Sequence, residues 1–231
     1  MYKSINQISE QAFLIDFGDK VSKEINNNVI DYFKYINSKI KKNNKLKIKN
    51  CVPSYNKLLI QFDPININKN KIYDYISSIN INKKSKKNLL NIKKIPICYD
   101  EEFALDINNI SKIKNLSKDQ IINEHLNTKF YVYMLGFMPG FPFMGDLSSK
   151  LYLPRLENPR VKVPALSVGI IEKFCGIYPY ESPGGWNIIG RIPNKLFFKN
   201  KKNLTFLEPG MDVKFFEITK EKFNALNKKN D

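Results

Sequence analysis

The sequence predicts an α+β chain built as two units, an α/β unit over residues 1–90 and a β-rich unit over residues 91–231. Three observations carry that expectation. Over the first ninety residues the apolar positions switch between a period of two and a period near 3.6, as strands alternating with helices require. Nine of the ten glycines and nine of the twelve prolines fall at or after Gly136, which cuts the second half into many short strands. Between the two lies a lysine-rich stretch at residues 82–87, the candidate linker.

In the first unit, residues 12–18 alternate as a strand, with Phe13, Ile15 and Phe17 on one face and Gly18 ending it. Ser22 is placed to cap a helix in which Ile25, Val29, Ile30, Phe33, Ile36 and Ile40 recur at helical spacing. Residues 45–52 and 57–62 read as two strands joined by the turn Pro53-Ser54-Tyr55-Asn56, and Asp63-Pro64 stops the second. A further helix carries Ile72, Tyr75, Ile76 and Ile79 on one stripe. The order β-α-β-β-α suits a ferredoxin-like half-sandwich. In the second unit, residues 95–99 read as a short strand. Ser117-Lys118-Asp119-Gln120 spells a capping box for a helix ending near His125, and residues 130–137 are a β-prone strand. The Pro- and Gly-punctuated strands beyond suit a small barrel or sandwich.

Composition narrows the functional classes. With 42 % hydrophobic and 13 % aromatic residues, the chain is far from the composition of a disordered protein. No apolar run approaches the roughly 20 residues of a membrane helix, and residues 1–10 lack the basic-then-apolar pattern of a secretory signal. A soluble, cytoplasmic protein with no membrane association is expected. Cys51, Cys98 and Cys175 are odd in number and far apart, and His125 is the only histidine, which argues against a disulfide framework or a zinc site. The net charge of +16 invites a nucleic-acid partner, but only three of the 38 basic residues are arginine. Specific groove readers lean on arginine for bidentate base contacts, so the lysine surplus reads as a solvated surface and no nucleic-acid partner is expected.

All three arginines, Arg155, Arg160 and Arg191, and the single tryptophan, Trp186, lie between residues 155 and 191. Around them runs an ordered series of blocks. It begins with Pro96-Ile97-Cys98-Tyr99, His125 with Thr128, and Gly136-Phe137-Met138-Pro139-Gly140-Phe141. It continues through Pro154-Arg155, Pro159-Arg160, Val163-Pro164-Ala165 and Ser167-Val168. It closes with Gly176-Ile177-Tyr178-Pro179, Ser182-Pro183-Gly184-Gly185-Trp186, Ile189-Gly190-Arg191 and Pro209-Gly210-Met211-Asp212. This series resembles the family of the 5-oxoprolinase B component, also described as allophanate hydrolase subunit 1 or the sporulation-kinase inhibitor family. It is similar as well to subdomains C and D of the urea carboxylase carboxyltransferase domain. The resemblance implies a ferredoxin-like domain over residues 1–90 joined to a cyclophilin-like β-barrel over residues 91–231. Two positions depart from the family pattern. Leu166 stands where the family has glycine, so either the loop is reshaped or the glycine served close approach. Gly145-Asp146 after Phe143-Met144 replaces a common Tyr-Leu-Gly.

The candidate site residues follow from these blocks. Gly136, Phe137, Pro139, Gly140 and Phe141 form a tight turn with aromatic flanks, suited to a cleft wall. Arg155 and Arg160 offer forked donors for a carboxylate, unless they are ion-paired to Glu157, Glu172 or Glu181. Ser182, Pro183, Gly184, Gly185 and Trp186, with Arg191, offer backbone and cationic donors, although the chain has no GxxxxGK[ST] pattern. His125 is a candidate proton shuttle and Tyr178 a candidate phenol, which completes a catalytic set of His125, Arg155, Arg160 and Tyr178. No residue set suggests a metal site.

What the resemblance implies is one component of an ATP-dependent 5-oxoprolinase, a hydrolase that opens the lactam of 5-oxo-L-proline to L-glutamate. ATP with Mg2+ would sit at a site shared with another component of the complex. The expected partners are the C component, held tightly, and the A component, without which no activity is expected. Two alternatives stand beside it. One is a carboxyltransferase or allophanate hydrolase-type component of urea metabolism, although no biotin-attachment Met-Lys-Met is present. The other is a non-catalytic inhibitor of a sensor histidine kinase.

Overall fold

The computed structural model describes residues 2–81, 92–200 and 203–228, arranged as two compact units, Met1–Leu89 and Leu90–Asp231. The candidate linker at residues 82–87 lies outside the described residues. In the first unit the elements are β1 (Ser4–Ser9), β2 (Ala12–Asp16), α1 (Lys23–Lys42), β3 (Ile48–Pro53), β4 (Lys57–Phe62) and α2 (Lys69–Ser78). The sheet order is β1-β2-β4-β3, with every neighbouring pair antiparallel. The ferredoxin-like β-α-β-β-α order is present from β2 to α2, with β4 inserted between β2 and β3. The extra strand β1 folds back on β2 and occupies the edge beside it.

Phe13, Ile15 and Phe17 face inward, as the alternation predicts, and meet Val29, Tyr32 and Ile36 of α1 and Ile72 and Ile76 of α2. Each fully buried isoleucine contributes about 1.5–3 kcal/mol of transfer free energy. Ser22 caps α1 by accepting from the Ile25 amide at 3.3 Å, and Lys39, Lys41 and Lys42 complement the dipole at its other end. Asn26, fully buried, donates from Nδ2 to Ser54 O and Tyr55 O, which pins the predicted β3–β4 turn to the helix.

In the second unit come β5 (Ile92–Ile97), α3 (Ile107–Lys114), α4 (Lys118–Asn127), β6 (Phe130–Leu135) and β7 (Pro142–Gly145). After a 3-10 turn at Ser149–Leu151 follow β8 (Arg160–Val163), β9 (Ser167–Ile171), β10 (Phe174–Ile177), β11 (Ser182–Gly184) and β12 (Asn187–Arg191). The last elements are β13 (Asp212–Glu217) and α5 (Lys220–Lys228). The capping box of α4 is made in both directions: the Gln120 amide donates to Ser117 Oγ, and the Ser117 amide donates to Gln120 Oε1.

Seven strands form one sheet in the order β12-β9-β10-β7-β6-β13-β5, with β5 and β13 parallel and the other pairs antiparallel. Its two edges meet. Just past β5, the Cys98 amide donates to Arg191 O at 2.9 Å, and the Arg191 amide donates to Cys98 O at 3.0 Å. That isolated bridge joins the two edges at one point and nearly closes the sheet into a barrel. The interior is filled by Ile95, Ile97, Phe130, Val132, Met144, Val168, Ile170, Ile177, Val213 and Phe215, all buried. A separate two-stranded ribbon pairs β8 with β11, and Val163 of β8 packs with Phe141, Tyr178 and Ile188. Over the seam lies α5: Phe223 packs on Phe103 at 4.4 Å between ring centroids, and Lys220 pairs with Asp100 and Glu102. Among the described residues no helix is long and apolar enough to cross a membrane.

Leu166 answers one question raised by its departure from the family pattern. It adopts the left-handed region itself, with φ of 67°, so the loop keeps a conformation that favours glycine. The cost of about 1–2 kcal/mol for a residue with a Cβ is set against packing of its half-buried side chain on the barrel core.

The seam yields a prediction. A Cβ on Gly190 would lie 2.8 Å from Cys98 O, a backbone atom that cannot step aside without opening the closing bridge. Gly190→Ala is expected to lower the unfolding free energy by about 1–3 kcal/mol. Urea denaturation followed by circular dichroism reads it, and an unchanged midpoint would show that the seam tolerates separation.

Candidate functional site

The turn after β6 begins the site. Gly136 ends the strand two residues earlier than its β-prone run predicts, and residues 136–141 close a loop through three backbone hydrogen bonds. These run from Gly136 N to Phe141 O, from Met138 N to Gly136 O and from Phe141 N to Met138 O. Phe137 is held at φ 67° and the residue is 67 % exposed, an unusual state for an aromatic residue. A strained, outward-facing ring of this kind is the sort of feature that clusters at binding sites.

From that turn an aromatic wall rises along β7 and into β12. Phe141 touches Phe137, Phe143, Tyr178 and Trp186 at ring-centroid distances of 5.0–5.6 Å, mostly edge to face. Facing this wall are Pro159, Pro183 and Gly184 of the ribbon region. Together with Arg155, Gly185 and Trp186 they enclose a cleft of about 350 Å³. Two glycines make it possible. A Cβ on Gly184 would come within 2.5 Å of the Tyr178 hydroxyl oxygen, and one on Gly185 would come within 2.5 Å of Arg155 Nε. The glycine pair therefore lets a phenol and a guanidinium lie against the backbone instead of being pushed off it.

The structure brings together eight of the residues picked from the sequence: Phe137, Phe141, Arg155, Tyr178, Pro183, Gly184, Gly185 and Trp186. Burial raises the Tyr178 phenol above its usual pKa, against the lowering influence of the Trp186 backbone amide, Arg155 and Arg160. The phenol is therefore protonated at neutral pH and offers a hydrogen-bond donor. Gly136, Pro139, Gly140 and Ser182 do not line the cleft; they shape the turns on either side, and the Ser182 hydroxyl donates to Pro183 O.

Three expectations are corrected. Arg160 does form an ion pair, but with none of the three glutamates considered: its Nη2 lies 2.5 Å from Oδ1 of buried Asp106. Arg191 serves the seam and not an anion. Its Nε donates to Ala165 O at 2.7 Å and its guanidinium lies over the Phe103 ring. His125 cannot shuttle protons to the cleft because it is fully enclosed in the barrel core between the Phe130 and Phe215 rings. Its Nδ1 lies 2.6 Å from the Tyr99 hydroxyl and its Nε2 lies 3.7 Å from Cys175 Sγ. A neutral imidazole satisfies both contacts, accepting at one nitrogen and donating at the other. Burial lowers its pKa to about 3.

Sequence reasoning missed three participants. Phe143 was signalled by its i, i+2 spacing from Phe141 along a strand, and Pro159 by its place before Arg160. Asp106 carried no signal at all, being one carboxylate among the four at residues 100–106.

A barrel-like sheet whose edges meet, with an aromatic cleft beside it lined by a single guanidinium, is the architecture of a carboxyltransferase-type domain. Residues 3–207 match the family described as carboxyltransferase domain, subdomain C and D, and the chain belongs to that family. It is 33 % identical to the B component of the 5-oxoprolinase of Bacillus subtilis, over 96 % of this chain and 95 % of that protein. The crystal structure of a conserved uncharacterized protein from Pyrococcus horikoshii is 38 % identical and superposes with a TM-score of 0.57, covering 95 % of this chain and all of the other. The urea carboxylase of Kluyveromyces lactis, at 19 % identity and a TM-score of 0.72, shares the fold: this chain covers 22 % of its length.

The buried histidine gives a second prediction, on stability. The unfolded chain takes up a proton at His125 below about pH 6.5, while the folded chain does not until about pH 3. Stability is therefore complete above pH 6.5 and falls as the pH drops through the window between these values. The slope from this residue is about 1.4 kcal/mol per pH unit. His125→Gln removes that contribution, so equal acid sensitivity of the two proteins in urea titrations at pH 6.5 and 4.5 would refute it.

Proposed function

We propose that this protein is the B component of an ATP-dependent 5-oxoprolinase and that the cleft beside the barrel binds 5-oxo-L-proline for ring opening to L-glutamate. The observation that carries the reading is the pairing of one forked cation, Arg155, with an otherwise aromatic and proline-lined cleft. It occurs in a protein 33 % identical to a 5-oxoprolinase component along nearly its whole length. A five-membered lactam with one carboxylate presents the complementary chemistry. Its volume of about 350 Å³ places the cleft at the small end of the roughly 300–1,000 Å³ of small-molecule sites.

In this reading Arg155 holds the substrate carboxylate bidentately, because guanidinium geometry matches two carboxylate oxygens. Phe141, Phe143 and Trp186 hold the ring and exclude water from its faces. The Tyr178 hydroxyl donates to a substrate oxygen and stabilises charge that develops there. ATP, when bound to the complex, supplies the phosphoryl group that activates a stable amide. The cleft itself does not fit a magnesium triphosphate: one guanidinium and one phenol line it, no carboxylate does, and Arg160 and Arg191 are engaged elsewhere. No group of three or more metal-ligating side chains gathers among the described residues. The nucleotide is accordingly assigned to the partner components A and C.

The experiment is reconstitution. This chain mixed with the A and C components is expected to release glutamate from 5-oxoproline and ATP, while the chain alone shows no turnover. Arg155→Lys retains charge and loses the fork, and is expected to cut kcat/KM by roughly tenfold or more, about 1.4 kcal/mol. Gly185→Ala, which displaces the same side chain, is expected to act in the same direction. Turnover by the isolated chain, or full activity of Arg155→Lys, would overturn the reading.

A further inference from the structure

The cleft has two walls that belong to different sheets. Phe141, Phe143 and Tyr178 stand on the barrel, whereas Pro183 and Gly184 belong to the β8–β11 ribbon and Pro159 leads into it. The ribbon is not a member of the seven-stranded sheet, so its strand ladder does not fix its distance from the aromatic wall. Val163 of β8 packs with Phe141, Tyr178 and Ile188, and one buried charged side chain, Asp106, bridges the ribbon to the barrel edge. Asp106 Oδ1 lies 2.5 Å from Nη2 of Arg160 on β8. Asp106 Oδ2 accepts from the Ile188 amide on β12 at 2.6 Å, and the Asp106 amide donates to Ile188 O at 2.9 Å. Asp106 thus occupies the outer edge of β12 three residues along from the closing bridge. Arg160 Nη1 is buried without a hydrogen-bond partner, so the carboxylate at Nη2 is what orients the fork. The register Gly184↔Arg160 places this anchor directly opposite the cleft-lining glycine.

We propose that Asp106 is a positioning residue for the cleft: its carboxylate clamps the β8–β11 ribbon to the barrel edge and so sets the spacing between the ribbon wall and the aromatic wall. Its catalytic consequence rests on the reading of the cleft as the substrate site, while the clamp itself does not. A charge-assisted bond to a fork fixes direction as well as distance, which a neutral contact does not. Asp106→Asn separates the two halves of the clamp. The amide keeps a carbonyl oxygen for the Ile188 amide and turns a donor toward the Arg160 donor.

The test is hydrogen–deuterium exchange on the purified full chain, with the emission of the single tryptophan, Trp186, as a second readout. In Asp106→Asn, exchange at residues 156–163 and 182–186 is expected to rise roughly tenfold, with β9 and β10 unchanged, and Trp186 emission to shift to the red. In the reconstituted complex KM for 5-oxoproline is expected to rise about fivefold with kcat changed far less, and Asp106→Glu to recover part of the loss. Should the single variant fail to fold, Asp106→Asn with Arg160→Gln leaves no unpaired buried charge and is expected to show the same loosened ribbon. Wild-type exchange and emission in either variant would overturn the clamp. So would exchange that rises evenly through the barrel, since Asp106 would then serve global stability. If the ribbon loosens as expected while the wild-type complex does not act on 5-oxoproline, the clamp stands and the substrate reading falls.

Discussion

The second unit depends on what happens at one strand edge. A seven-stranded sheet with β12 at its border would expose a row of unpaired amides and carbonyls, and β12 escapes this by meeting Cys98 and Asp106. Both contacts come from the short segment that follows β5, so a single stretch of chain closes the barrel and reaches the cleft. Gly190 allows the approach, because its missing side chain leaves room for Cys98 O. The turn at residues 100–104 then carries the chain from one contact to the other, and α5 lies over it through Phe103 and Phe223. Closure, cleft geometry and the C-terminal helix are parts of one arrangement.

The three arginines show how similar residues separate by environment. Arg155 lies across Gly185 and lines the cleft. Arg160 faces a buried carboxylate, and burial makes that pair costly to break from one side alone. Arg191 gives up an N–H to a backbone carbonyl and its face to a phenyl ring. Each thus makes a different use of a planar, delocalised cation, a shape that a lysine ammonium does not have.

Much of the fold was legible because periodicity and capping act locally. Phe13, Ile15 and Phe17 declared an inward strand face, and Ser117 with Gln120 declared a helix start; both are as expected. β1, with Ser, Asn and Gln at four of its six positions, and α3 and α5, rich in Asn and Lys, gave patterns too polar to stand out. Around the cleft, Pro183, Gly184 and Gly185 line its walls whereas Gly136, Pro139 and Gly140 shape a flanking turn, because tight backbone approach demands these residue types whether or not the segment faces a cleft. The same logic failed for His125. A lone histidine looks the same in sequence whether it faces solvent or a phenylalanine core, and only packing decides its charge.

The sequence by itself determined the strand and helix faces of the first unit and most of the residues from which the cleft is built. These follow from spacing along one chain, which sequence records directly. Only the tertiary structure decided which arginine is available to a ligand, that Leu166 bears a left-handed backbone, and that Asp106 joins β8 to β12. Asp106 and Arg160 are 54 residues apart, and Asp106 and Ile188 are 82 apart. An ion pair across such separations is set by how the sheet closes, a long-range event that leaves no local pattern in the chain.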